Sequence, residues 1–286
     1  MLSAFFLAMF FLPALGLWPL ALGLTALGLH EFHCLVRKSG LEMYSWTAQG
    51  SGAVLISAIF LSTPGSGVRL DLAGLPADQW ILLAILFAVT MRGLAGSDPR
   101  TALVAIAVTL LGIGYVAYLF GYFLRLSFWA DEMQWLAPLP TTGRRLILYA
   151  IVVVKCSDIG AYAVGRLIGR HKLFPSLSPK KTWEGLAGGL MAGVGTSLAF
   201  NLLGQGRLGA VPLGWRHAIT LALALCLFGV AGDLFASRIK RAAQVKDSGV
   251  IPGNGGMLDV FDSLLFSIPV MAVYTGWWLS GMVECA

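Results

Sequence analysis

Charge is scarce in this sequence. Asp, Glu, Lys and Arg make up 12% of its 286 residues, about half the share carried by an ordinary soluble domain. Hydrophobic residues make up 57%, so lipid rather than water is the solvent for most of the chain. The residue-by-residue alternation of a lipid-facing β-barrel is also missing. The apolar runs are continuous, and inside hydrocarbon a helix is the way such a run pairs its own backbone. Cysteine is sparse: Cys34, Cys156, Cys226 and Cys285 show no paired spacing. That argues against a disulfide framework or a zinc-ligand set, and they read as small buried hydrophobes. No soluble domain, low-complexity linker or internal repeat is visible. The net charge of +6 does not signal nucleic acid, because Lys and Arg sit between apolar runs as in an inner-membrane protein.

What is present is a series of apolar runs. Met1–Leu29 lacks a basic n-region and a small-residue cleavage site, and reads as a membrane segment rather than a cleaved signal. Pro13 and Gly16 leave open whether it crosses once or twice. Further runs cover Trp46–Leu61, Trp80–Met91, Thr101–Leu124, Leu146–Ile168, Leu186–Leu203, His217–Val230 and Leu264–Leu279. A span needs roughly 20 apolar residues, so the expected fold is an all-α polytopic membrane protein with eight or nine transmembrane helices. The expected division is residues 1–145 as N-terminal membrane helices and 146–286 as a catalytic membrane region with cytoplasmic loops. Of the 20 Lys and Arg, six (Arg69, Arg125, Arg144, Arg145, Arg207 and Arg216) fall in loops on one side, and Lys155 lies inside a run. The other thirteen share the side of Lys38, Lys180 and Lys246, which the charge bias makes cytoplasmic.

Two of those cytoplasmic loops are unlike the rest. Residues 165–184 are densely basic and contain no acid before Glu184; Ser178, Lys180 and Lys181 suit the oxygens of a nucleotide or a lipid phosphate. Residues 232–262 open with Asp233, just after an apolar run. Ser237, Lys240 and Arg241 follow within two helical turns and can share a face. Pro252 and a glycine-rich turn come next, a geometry able to offer backbone N–H groups to phosphate. Asp259 and Asp262 lie three apart on the helix beyond. Carboxylates near a membrane are costly to keep ionised without partners, and Mg²⁺ at a phosphate site takes one or two of them. Three further features leave alternatives open. Asp158 either pairs with Lys155 or joins the site. Gly185, Gly189 and Gly193 form a smooth stripe, for helix packing or for a lipid chain. His30, His33 and Cys34 are metal-ligand types, but they end a membrane helix beside Glu31.

The stretch Ser237-Arg-Ile-Lys240-Arg241, then Lys246-Asp247-Ser-Gly, then Ile-Pro-Gly-Asn-Gly-Gly-Met-Leu-Asp259-Val-Phe-Asp262 resembles the signature of phosphatidate cytidylyltransferases, or CDP-diacylglycerol synthases. Asp158 to Lys172, with Ser178-Pro-Lys-Lys-Thr-Trp-Glu-Gly185, resembles the family's preceding motif. The resemblance covers roughly Asp158 to Ser263. It implies transfer of a cytidylyl group from CTP to phosphatidic acid, with Mg²⁺ held by Asp233, Asp259 and Asp262. Lys240, Lys246 and Asp247 would share the catalytic role. Ser178, Lys180, Lys181, Ser237, Arg241, Asn254, Gly255, Gly256 and Asp158 would bind substrate. This chain has Asn254 where the family commonly has His, and Val260 where it commonly has Arg. The expected partners are CTP, phosphatidic acid and the bilayer, with no nucleic acid and a homodimer left open. The expected setting is the inner (plasma) membrane, with the site facing the cytoplasm. The competing readings are a CTP-dependent polyprenol-type lipid kinase, a transporter with charges along its pathway, and a silent lipid-binding relative.

Overall fold

A computed structural model describes residues 14–63, 71–72, 75–95, 98–129, 142–175, 177–249 and 255–276. The chain is an all-α polytopic membrane protein. Its helices are α1 (Ala14–Lys38), α2 (Ser45–Ser62), α3 (Ala77–Leu94), α4 (Pro99–Gly112), α5 (Leu119–Ser127), α6 (Thr142–Ile168), α7 (Trp183–Leu203), α8 (Trp215–Ala242), α9 (Met257–Phe261) and α10 (Leu264–Tyr274). A π-helical turn, Ile113–Tyr118, joins α4 to α5 without a break. Three short antiparallel hairpins complete the described elements: Asp71–Leu72 with Leu75–Pro76, Lys172–Phe174 with Ser178–Thr182, and Arg207–Leu208 with Val211–Pro212.

Among the described residues six helical segments are long and apolar enough to cross a membrane: Gly16–Lys38, Ala77–Leu94, Pro99–Ser127, Thr142–Ile168, Trp183–Leu203 and Trp215–Ala242. Eight or nine were expected. The difference has physical reasons. Helix α2 has 18 residues, but Ser45, Thr47, Gln49, Ser51 and Ser57 dilute its apolar character. Helix α10 has 11 residues, about 16 Å of helix at 1.5 Å per residue. Residues 1–13, which bear on whether the N-terminus crosses once or twice, lie outside the described residues, as do 277–286.

The chain forms two compact units. The first comprises Met1–Leu139 with Ile239–Phe261. In it, Arg125 pairs with the buried Asp78 and lies over the Tyr122 ring at 5.2 Å. Phe261 of α9 meets Phe120 and Phe123 of α5 edge-on, at 5.5 and 5.7 Å. Asp98 caps α4 by accepting the Thr101 N–H at 2.9 Å, with Pro99 in the first turn.

The second unit comprises Pro140–Arg238 with Asp262–Ala286. Thr182 caps α7 by accepting the Gly185 N–H at 3.1 Å. The glycine stripe of α7 is a packing surface. A Cβ at Gly189 would lie 2.9 Å from both the Ser157 carbonyl and the Ala161 Cβ of α6, one at Gly185 would lie 2.8 Å from the Ala161 carbonyl, and one at Gly193 would strike Cys226 of α8. Three neighbouring turns of α7 therefore need the missing side chain to approach this closely. Cys34, Cys156 and Cys226 are free thiols, and Cys226 is buried, as expected for a small apolar side chain.

Gly189→Leu should therefore cost about 1–3 kcal/mol through overpacking, read as a lower melting temperature of the detergent-solubilised protein. Met191→Leu is the control, since Met191 is 75% exposed on the same helix; it should melt like the wild type. Equal melting of all three would show that α7 does not pack through its glycines.

Candidate active site

The second unit contains a cavity of about 400 Å³. Five chain segments build it, one of them the start of α7 with Gly185 and Leu186. Helix α6 contributes Asp158 and Tyr162, the 172–182 hairpin contributes Ser178, Lys180 and Lys181, helix α8 contributes Asp233, and the turn before α10 contributes Asp262 and Ser263. Three carboxylates and two lysines thus share one space.

Local chemistry fixes each contributor. The hairpin is clipped at its base. Glu184 accepts the Arg170 N–H at 3.1 Å, the His171 N–H at 3.2 Å, and the His171 ring at Nδ1 at 2.6 Å. Trp183 N–H closes the same base on the His171 carbonyl at 3.0 Å. The hairpin directs Lys181 onto Asp233, with Nζ 2.5 Å from Oδ2. Lys155 does two jobs on α6: its Nζ lies 3.5 Å from Asp158 Oδ2 and 3.2 Å from Ser263 Oγ. Asp158 therefore pairs within its helix and also lines the cavity, so the two readings of its spacing are compatible. Asp262 Oδ1 accepts the Ser263 N–H at 2.7 Å.

A second polar cluster lies within the first unit. Asp259 accepts Lys240 Nζ at 2.7 Å on Oδ1. Its Oδ2 accepts the Ser248 N–H at 2.7 Å, the Ser248 hydroxyl at 2.9 Å and the Gly256 N–H at 3.0 Å. Gly255 has a left-handed backbone, φ 64°, which glycine adopts without strain. Glu31 of α1 accepts the N–H groups of Met257 at 2.8 Å and Leu258 at 3.0 Å. The Gly256, Met257 and Leu258 N–H groups thus go to protein carboxylates.

Of the expected site residues, the cavity gathers Asp158, Ser178, Lys180, Lys181, Asp233 and Asp262. The second cluster gathers Lys240, Gly256 and Asp259. Arg241, Lys246 and Asp247 are exposed and line neither, as is true of the half-buried Ser237. Asn254 lies outside the described residues. Sequence reasoning missed Glu31, Ser248 and Ser263. Glu31 had a signal, an acid at the end of a membrane helix, which in a membrane protein asks for a partner.

Burial alone would raise the Asp259 pKa. The Gly256 N–H, the Lys240 ammonium and the Ser248 N–H outweigh it and hold the carboxyl below its ordinary range.

A multi-pass helical protein with lysines and carboxylates converging on one cavity has the makings of a membrane enzyme for phosphorylated substrates. Residues 1–278 match the Cytidylyltransferase family, and the chain belongs to that family, which makes it a nucleotidyltransferase. It is 33% identical over 262 residues to the phosphatidate cytidylyltransferase of Bacillus subtilis (strain 168), covering 91% of this chain and 90% of that one. The phosphatidate cytidylyltransferases of Staphylococcus epidermidis (strain ATCC 12228) and Staphylococcus aureus (strain COL) are each 34% identical over 226 residues, covering 75% of this chain and 80% of theirs.

The depressed Asp259 pKa has a pH signature. A carboxyl whose folded pKa lies below its unfolded value, ~3.9, stabilises the fold fully above that value and loses the contribution as pH falls through the folded pKa. Wild type should therefore melt above Asp259→Asn at pH 7, and the gap should close as pH drops below about 4. A gap that is unchanged by acid would contradict this.

Proposed function

We propose that this protein is a phosphatidate cytidylyltransferase that makes CDP-diacylglycerol and pyrophosphate from CTP and phosphatidic acid. The observation that carries the reading is the cavity, where Ser178, Lys180 and Lys181 meet Asp158, Asp233 and Asp262. The names of the relatives supply the substrates. A phosphate oxygen of phosphatidic acid attacks the α-phosphorus of CTP, a new P–O bond forms, and the bond from the α-phosphorus to the bridging oxygen breaks as pyrophosphate leaves. A phosphate monoester has a second pKa of about 6, so the nucleophile is largely ionised at neutral pH and needs no general base. The protein's task is then positioning and charge neutralisation.

Lys180, Lys181 and Ser178 would bind phosphate oxygens and offset the repulsion between two anionic substrates. Mg²⁺ fits the donor set. Among the described residues no three His, Cys, Asp or Glu side chains form a metal cage by themselves. Mg²⁺ at phosphate sites instead takes one or two carboxylates and completes its shell from substrate and water. Asp233 and Asp262, beside Asp158, offer those carboxylates. When bound, the ion would offset charge on the leaving pyrophosphate. Asp259 has three donors on Oδ2 and an ammonium on Oδ1, so a metal role for it requires Lys240 to yield. Its first task is to hold the N–H groups of Ser248 and Gly256. The exposed Arg241 and Lys246 remain available for phosphate. Asn254 would orient a phosphate or a water through its amide. The bias of Lys and Arg favours a plasma-membrane setting with Lys180 and Lys246 facing the cytoplasm.

Purified protein given α-labelled CTP, Mg²⁺ and phosphatidic acid should produce labelled CDP-diacylglycerol. Asp233→Asn should lose most of that activity, by roughly 100-fold or more if the carboxylate neutralises transition-state charge. A labelled phospho-alcohol formed from γ-labelled CTP, or no labelled lipid at all, would overturn the reading. Asn254→His should change the rate modestly, and Asn254→Ala should cost more. An inactive wild type rescued by Asn254→His with Val260→Arg would point instead to a disabled or redirected enzyme.

A further inference from the structure

We infer that Glu31, on the first described helix, is a positioning residue that sets Ser248 and residues 256–259 for catalysis; this rests on the reading just given. Glu31 is 7% exposed. Its partners all come from one distant segment. Oε1 accepts the Met257 N–H at 2.8 Å, and Oε2 accepts the Leu258 N–H at 3.0 Å and the Ser248 hydroxyl at 3.2 Å. Those residues lie 217 to 227 positions away along the chain. Among the described residues no Lys or Arg forms an ion pair with Glu31.

An ionised carboxylate buried without donors is strongly unfavourable. Glu31 therefore depends on the segment for its solvation, and the segment depends on Glu31 for its shape. Helix α9 has five residues, too few to hold its own first turn. Its opening N–H groups, those of Met257 and Leu258, are paired by Glu31, and the preceding Gly256 N–H by Asp259. Ser248 links the two acids, since its hydroxyl lies 2.9 Å from Asp259 Oδ2 and 3.2 Å from Glu31 Oε2. Gly256 fits against this bridge only because it lacks a side chain: a Cβ there would strike both Glu31 Oε2 and Ser248 Oγ. A shift of Glu31 is therefore transmitted to Gly256 and to Asp259. Asp262 follows Asp259 by three residues.

The test uses the full chain in lipid nanodiscs, with Glu31→Ala and the near-isosteric Glu31→Gln. Two quantities are read: hydrogen exchange at the amides of Gly256, Met257 and Leu258, and steady-state kinetics with CTP and phosphatidic acid at matched amounts of folded protein. Glu31→Ala should speed exchange at those amides about tenfold or more, while the amides of α6 and α7 keep their protection. Its kcat should fall about 10- to 100-fold, as expected for misplaced catalytic groups, with the KM for CTP little changed. Glu31→Gln keeps one acceptor oxygen and should lie between wild type and Glu31→Ala on both readings, a rescue that general destabilisation would not give. Unchanged exchange in Glu31→Ala overturns the inference, as does faster exchange with kcat intact. If Glu31→Ala does not fold, Glu31→Gln decides: wild-type exchange and kcat overturn the inference, and a reduced kcat with faster Leu258 exchange supports it. If the wild type makes no CDP-diacylglycerol, the functional proposal fails instead, and the exchange readings still decide whether Glu31 holds the segment.

Discussion

Lys181 meets Asp233 at 2.5 Å because a carboxylate set among apolar helices needs a cation or a group of donors beside it. Neither side chain is fully buried, so the pair is not locked by desolvation and each member stays open to a competing ligand. A phosphate can replace Asp233 as the partner of Lys181, and a divalent cation can replace Lys181 as the partner of Asp233. The hairpin, its Glu184 clip and the close approach of α6 to α7 through glycine all bring these two charges to one place. Lys155 adds a third point of control, joining α6 to Ser263 beside Asp262.

The carboxylates of the first unit meet the same demand in another way. Asp259 and Glu31 are solvated by backbone N–H groups and by Ser248, and Lys240 completes the Asp259 shell. Between them they accept the N–H groups of Ser248, Gly256, Met257 and Leu258. Cavity carboxylates that can exchange partners and segment carboxylates that cannot readily do so are two outcomes of one electrostatic rule.

The broad outline was legible in the sequence. The apolar runs announced helices, because hydrocarbon leaves the backbone no other partner. Gly185, Gly189 and Gly193 announced a smooth helix face, for packing or for a lipid chain, and their spacing did not reveal that α6 and Cys226 would fill it. The Ser178–Lys181 cluster and Asp233 were readable from charge and position, and the cavity unites them. The short hairpins were not readable, since strands of two to five residues carry no usable periodicity. Glu31 was hidden for a different reason. Its acidic side chain asked for a partner, but those partners, two backbone amides and the Ser248 hydroxyl, lie more than two hundred residues away and carry no mark that points back to it. Glycine reports backbone access without reporting which acceptor uses it, and at Gly256 the acceptor is Asp259.

The central claim is that the nucleotide binds in the cavity of the second unit. Photolabelling with an azido-CTP in the presence of Mg²⁺, followed by peptide mapping, tests it most directly. Labelling is expected within residues 172–186 or beside Asp233, suppressed by excess CTP and weakened in Lys181→Met. CTP-sensitive labelling confined to other parts of the chain, with these segments unmodified, would contradict it.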